Sequence, residues 1–145
     1  MHTIRLIYSS EAIDGLRYAD FVSLMARAEA SNNEQAITGM LCYGSGQFLQ
    51  ALEGERSAVN KLYHEIAIDP RHTRCQILLV DEISTRDFPE WSMKIIDWSD
   101  AVTAPRKTLL LKHSGSSQFD PSRMSGIQAA TFLRDLAAME RLLLE

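Results

Sequence analysis

The stretch "AITGMLCYGSGQFLQALEG", residues 36–54, decides the fold. It holds two apolar, strand-like runs around Gly44-Ser45-Gly46, and glycines supply the positive φ that hairpin turns need. A β-hairpin is therefore expected near the centre of the chain. Side chains on a strand alternate with a period of two, so Phe48, Gln50 and Leu52 share one face of the second arm. Phe48 and Leu52 suit a core. Gln50 does not, because burying an unpaired amide costs about 1–3 kcal/mol. A strand-centre glutamine needs a partner, and this makes Gln50 the first candidate for a functional residue.

Outward from the hairpin, the pattern alternates between strands and helices. Upstream, "TIRLIYSS" (3–10) is an apolar strand, and residues 15–33 carry Phe21, Leu24, Met25 and Ala28 at helical spacing before the polar stop Ser31-Asn32-Asn33. Downstream, residues 57–69 place Val59, Leu62, Tyr63 and Ile66 on one helical stripe, with Ser57 as the expected N-cap and Pro70 as the terminator. A fourth strand follows at 75–83, and a fifth at 91–98 is expected to put Trp91, Met93 and Ile95 on one face. The order β-α-β-β-α-β plus one strand gives an α+β, ferredoxin-like sheet with both helices on one face. The tail reads as two further helices, 103–115 and 125–145, joined by a polar loop with Pro121; Gly115 fits a helix stop and Ser125 an N-cap. These are expected to cover the bare face of the sheet, and the Leu-rich end, Leu142 to Leu144, to offer a surface to a partner. The division expected is a sensor-sized unit over 1–100 and a helical extension over 101–145.

Composition narrows the function. The chain has 145 residues, 46% of them apolar and 23% charged, with a formal net charge of −4. That suits one packed domain and argues against a phosphate-backbone binder, which would cluster Lys and Arg. No apolar run approaches the roughly 20 residues that span a bilayer, and "MHTIRLIYSS" lacks the pattern of a signal peptide. Cys42 and Cys75 are far apart, lie in apolar strand-like runs and read as buried, reduced thiols of a cytoplasmic protein. His2, His64, His72 and His113 make no metal spacing. Neither a nucleophile elbow nor a phosphate-binding glycine loop is present. About 45 residues after the sensor-sized part are too few for a separate catalytic domain, so no enzyme activity is expected.

What remains is a set of polar residues aimed at a core. Tyr8 closes the face of Ile4 and Leu6, and its strand and that of Gln50 are expected to be neighbours. Asn32 at the end of the first helix, and Met93 and Trp91 on the last strand, complete the set. Singly, Asn32 reads as a helix stop, and Met93 and Trp91 as core filler.

The runs "RLIYSS", "NN…ITGMLCY", "FLQALEG", "DPRH" and "FPEWSMKI", in this order, resemble the BLUF family of blue-light photoreceptors over roughly residues 3 to 98. The tail "TLLLKHSG…QFDPSRM" is similar to that of short PixD-type members. The resemblance implies FAD as cofactor, with Tyr8 as the photoactive tyrosine and Gln50 as the switching glutamine. It implies Asn32 at the flavin carbonyl edge, Leu24 and Ile66 as walls of the ring slot, Asp69 beside the ribityl chain, and Arg71 and His72 lining the flavin. Met93 and Trp91 match the signalling methionine and its nearby tryptophan. Ser31-Asn32 departs from the Asn-Asn of some members. In the implied chemistry, light drives an electron and a proton from Tyr8 through Gln50, which rearranges by rotation or tautomerisation, and the absorption shifts slightly red. Output would pass through homo-oligomers or a response-regulator-like partner. Two rival readings remain from the residues: a ferredoxin-like module that orients a metabolite with Tyr8 and Gln50, and a BLUF-like scaffold without photochemistry.

Overall fold

The computed structural model describes residues 2–16, 20, 23, 36–98 and 104–143. Its centre is a five-stranded sheet built from β1 (Thr3–Ala12), β2 (Thr38–Gly44), β3 (Gln47–Glu55), β4 (His72–Glu82) and β5 (Lys94–Asp97), in the spatial order β4-β1-β3-β2-β5. The hairpin forms, with β2 and β3 antiparallel across Ser45-Gly46, but only one of the expected glycines supplies positive φ: the turn takes it at Ser45 (52°) and Gly46 (72°), while Gly44 ends β2 where a side chain would run into Trp98. β1 lies between β3 and β4, antiparallel to both, and β5 joins the far edge parallel to β2. This is the ferredoxin-like order with one added strand. The helix α1 (Arg56–Ala67) follows β3. After β5 come α2 (Ala104–Ser114), a 3₁₀ turn at Pro121–Arg123, and α3 (Gly126–Leu143).

Alternation along the strands sorts the apolar residues into two cores, one on each face. On the first face Ile4, Leu6, Tyr8, Leu41, Phe48 and Leu52 pack with Val59 and Leu62 of α1. On the second, Ile7, Met40, Leu49, Ala51 and Ile96 pack with Leu110 of α2 and with Phe132, Leu133 and Leu136 of α3. The terminal helices thus cover the face that the sequence left bare. α3 opens with a capping box, in which Gln128 N–H donates to Ser125 Oγ at 3.1 Å and Ser125 N–H to Gln128 Oε1 at 2.9 Å. α2 closes on Gly115, whose φ is 74° and whose N–H reaches the Leu111 carbonyl at 2.9 Å.

Four expectations change. The fifth strand begins only at Lys94, so Trp91 and Met93 lie on the approach to it. They do not share a face: Met93 and Ile95 pack with the first core, Trp91 with the second. β4 starts at His72, three residues earlier than its apolar run suggests, because pairing with β1 extends it through polar residues. The N-cap of α1 is Glu55; Ser57 instead donates to the Glu55 carboxylate at 2.7 Å. Of the expected helix over 15–33, Gly15 and Leu16 are not helical, Gly15 standing in a turn with a φ of 79°; Asp20 and Ser23 are helical, and the other positions, with Leu24, Ser31 and Asn32, fall outside the described residues.

Candidate functional site

Register builds the site. Tyr8 on β1 pairs directly with Gln50 on β3, which pairs with Leu41 on β2; on its other side Tyr8 pairs with Ile77 of β4. Directly opposed residues project from the same face of a sheet, so Tyr8 and Gln50 stand side by side. Both are buried, each 3% exposed. The Tyr8 hydroxyl donates to Gln50 Oε1. The Gln50 amide nitrogen donates in turn to Met93 Sδ at 3.5 Å, and Met93 is also buried. Burial pushes the Tyr8 phenol well above its ordinary pKa, with smaller contributions from Cys75, Tyr63 and Asp69. The group therefore enters any chemistry as a neutral, hydrogen-bonded phenol.

α1 and the turn after it supply the wall. The Tyr63 ring meets the Tyr8 ring edge-on with centroids 5.4 Å apart. Ile66 packs against the same core, partly buried. Its carbonyl accepts from His72 Nε2, which leaves Nδ1 to accept from Ser10 Oγ at 2.8 Å. Those two bonds fix the imidazole near Tyr8, at 6.4 Å between ring centroids. Asp69 folds the turn by accepting from the Arg71 backbone N–H and Nε, each at 2.9 Å, and again from Nη2. The Arg71 guanidinium holds the Asp69 carboxyl down at about 2.

The structure thus brings together Tyr8, Gln50 and Met93 in one chain of contacts, and Ile66, Asp69, Arg71 and His72 along one border of it. Trp91 stands apart on the other side of the sheet, beneath the Arg141 guanidinium at 5.2 Å and near Lys94 at 5.8 Å. Leu24 and Asn32 lie outside the described residues. Sequence reasoning passed over Ser10 and the site role of Tyr63. Tyr63 was visible on the apolar stripe of α1; Ser10 carried no signal, since its partner is 62 residues away. Among the described residues, no group of three or more His, Cys, Asp or Glu could hold a metal. No described helix is long and apolar enough to cross a membrane.

A flavin edge fits this donor set. The Gln50 amide nitrogen carries two N–H bonds, and its acceptor among the described residues is a thioether, a weak one. A buried amide with a hydrogen to spare calls for an oxygen or nitrogen acceptor. A ring carrying carbonyls and basic nitrogens provides both. The fold and the site together define a ferredoxin-like module with a buried Tyr–Gln–Met donor chain suited to a heteroaromatic ligand. The model of the BLUF family, "Sensors of blue-light using FAD", matches residues 3–94, and the chain belongs to that family of flavin-binding blue-light sensors. The photoactivated adenylate cyclase subunit beta of Euglena gracilis is 37% identical over 89 residues, which is 61% of this chain but 10% of that protein's length. The chain thus spans about a tenth of that relative. Among solved structures, "BlrB - a BLUF protein, dark state structure" has a TM-score of 0.76 and 31% identity, covering 95% of this chain and 97% of that one. "BlsA photo-activated state" reaches 0.83 at 28% identity, covering 93% and 94%.

Proposed function

We propose that this chain senses blue light through a Tyr8–Gln50–Met93 relay and passes the signal to another protein. The observation that carries this reading is the continuous buried chain from the Tyr8 hydroxyl through the Gln50 amide to the Met93 sulfur. The flavin, when bound, supplies blue-light absorption and an excited-state electron acceptor. Tyr8 is the donor: loss of an electron makes a phenol a strong acid, and its proton already points at Gln50 Oε1. Gln50 receives that proton; when the electron comes back to Tyr8 the proton comes back with it, restoring the neutral phenol beside a rearranged amide, since an amide offers donors at one end and an acceptor at the other. Leucine would fill the same space without this capacity.

Met93 is placed to report the change. A thioether has no proton to give, so it meets the amide well only when Nε2 faces it. Rotation of Gln50 would set Oε1 against Sδ, lone pairs against lone pairs, and displace the methionine. Asn32 and Leu24, with Ile66, Asp69, Arg71 and His72, are the residues assigned to holding the flavin. Residues 1–100 act as the sensor and 101–145 as a helical extension that carries the output. The recipient is a second copy of the chain or a response-regulator-like protein; Leu111, Ile127 and Leu142, 52%, 74% and 70% exposed on the terminal helices, give such a partner apolar footing. Two unpaired thiols, Cys42 and Cys75, suit a reducing cytoplasm.

The test is the absorption spectrum of the purified protein in the dark and under blue light. Flavin bands that shift slightly red and relax in the dark are expected. Flavin bands that do not move would sink the relay. A colourless protein that FAD cannot reconstitute would favour the metabolite-orienting module.

A further inference from the structure

Residues 83–93 join β4 to Met93 and β5, and they are gripped from two sides. From the sheet, the fully buried Glu53 accepts the backbone N–H groups of Asp87 at 2.9 Å and Phe88 at 2.8 Å, while pairing with Arg5 at 2.7 Å. Glu53 lies three residues beyond Gln50 on the same strand. From α3, Arg134 Nε reaches Asp87 Oδ2 at 3.0 Å. Arg141 does more. Its Nε and Nη2 donate to Glu90 Oε1 at 2.8 and 2.6 Å, Nη2 also donates to the Asp87 carbonyl, and its guanidinium lies 5.2 Å from the centre of the Trp91 ring. Trp91 is tied to the sheet by its own carbonyl, which accepts from Gly39 N–H at 3.1 Å. Two residues on, Met93 takes the Gln50 N–H.

An exposed ion pair alone does little. A planar guanidinium that spans a carboxylate, a backbone carbonyl and an indole fixes the position of a whole segment. We infer that Arg141 is a positioning residue of the photoswitch: by holding Asp87, Glu90 and Trp91 it sets where Met93 meets Gln50, and so couples the last turns of α3 to the switch. The inference rests on the relay read above. Coupling between two sites is reciprocal. A Gln50 rearrangement that displaces Met93 loosens the grip of Arg141, and a partner that draws Arg141 off Glu90 resets the switch from outside.

The experiment compares Arg141→Ala, Arg141→Lys and Arg106→Ala in the full flavin-loaded chain. Arg106 bonds Glu140 at 2.6 and 3.0 Å, joins α2 to α3, and makes no described contact with residues 83–93. Its loss therefore reports helix loosening alone. Arg141→Ala should change the dark-recovery rate about fivefold or more, Arg141→Lys by less, and Arg106→Ala within about twofold. Hydrogen exchange at the Asp87 and Phe88 amides should speed up in Arg141→Ala only. Unchanged recovery in Arg141→Ala, or an equal change in Arg106→Ala, would overturn the positioning role. If the unaltered chain shows no light-induced shift, the relay itself fails; unaltered exchange at Asp87 and Phe88 in Arg141→Ala would separately show that Arg141 does not hold the segment.

Discussion

Tyr8 and Gln50 are each unsuitable for a core alone and well suited to it together. The phenol donates, the amide oxygen accepts, and neither group is left dry and unpaired. Gln50→Leu should keep the flavin and abolish the red shift while leaving the Tyr8 hydroxyl without its acceptor, at about 1–3 kcal/mol of stability. Tyr8→Phe should also keep the flavin and lose the shift, because the proton donor is gone; difference spectra under blue light check both. The elevated pKa of Tyr8 has a sign that can be read in solution. In the unfolded chain the phenol ionises near pH 10, while in the folded chain it stays neutral beyond that. The stabilising contribution is complete below 10 and falls away as pH rises above it. Alkaline titration of the folded protein should show no tyrosinate absorption from Tyr8 until unfolding begins.

At the scale of elements, the turn between α1 and β4 is held by a carboxylate whose pKa moves the other way. Asp69 drops from 3.8 to about 2 because Arg71 hydrogen-bonds its charged form. The stability it contributes is present above pH 3.8 and is lost as pH falls towards 2. Acid unfolding of Asp69→Asn should lack that component, with a loss of about 1–2 kcal/mol at neutral pH for the charge-assisted bonds. A second element-scale constraint is steric. A side chain at Gly39 would run into the Ala51 carbonyl oxygen and would come within 3.4 Å of Met93 Cε. Gly39→Ala should cost about 1–3 kcal/mol by thermal melting and should alter the photocycle as well, since relieving the clash moves β2 against the Ala51 carbonyl, one residue from Gln50 on β3. A purely structural glycine would change only the melt.

The whole molecule is a sheet with a core on each side, and the two sides divide the labour. The first core surrounds the Tyr8–Gln50 pair, and the second seats α2 and α3. Leu133 lies fully buried in the second. Leu133→Ala should destabilise the protein by about 2–5 kcal/mol, lowering the melting temperature while leaving the dark spectrum in place, because the cavity opens on the face away from Gln50. A changed dark spectrum would mean that the two faces are not independent.

Much of this was legible in the residues. The hairpin was visible because Gly44-Ser45-Gly46 is a local signal, and so were the stripe of α1 and the caps at Gly115 and Ser125. Gln50 stood out because an amide among apolar residues demands a partner, and the quoted motifs pointed to the family before any coordinates did. Tertiary structure alone decided the rest. Tyr8 and Gln50 are 42 residues apart, and only the register of β1 on β3 makes them touch. Trp91 and Met93 look like one face of a strand, yet regular pairing with β2 starts only at Lys94 and residues 91–93 are joined to it by the single Gly39–Trp91 bond, so strand alternation does not extend over them and each turns to a different core. Glu53, which alternation assigns to the face opposite Gln50, is buried because Arg5 and two backbone amides converge on it. Periodicity reports what a residue's own neighbours in sequence impose, whereas hydrogen-bond partners tens of residues away are set by how the strands and helices finally pack.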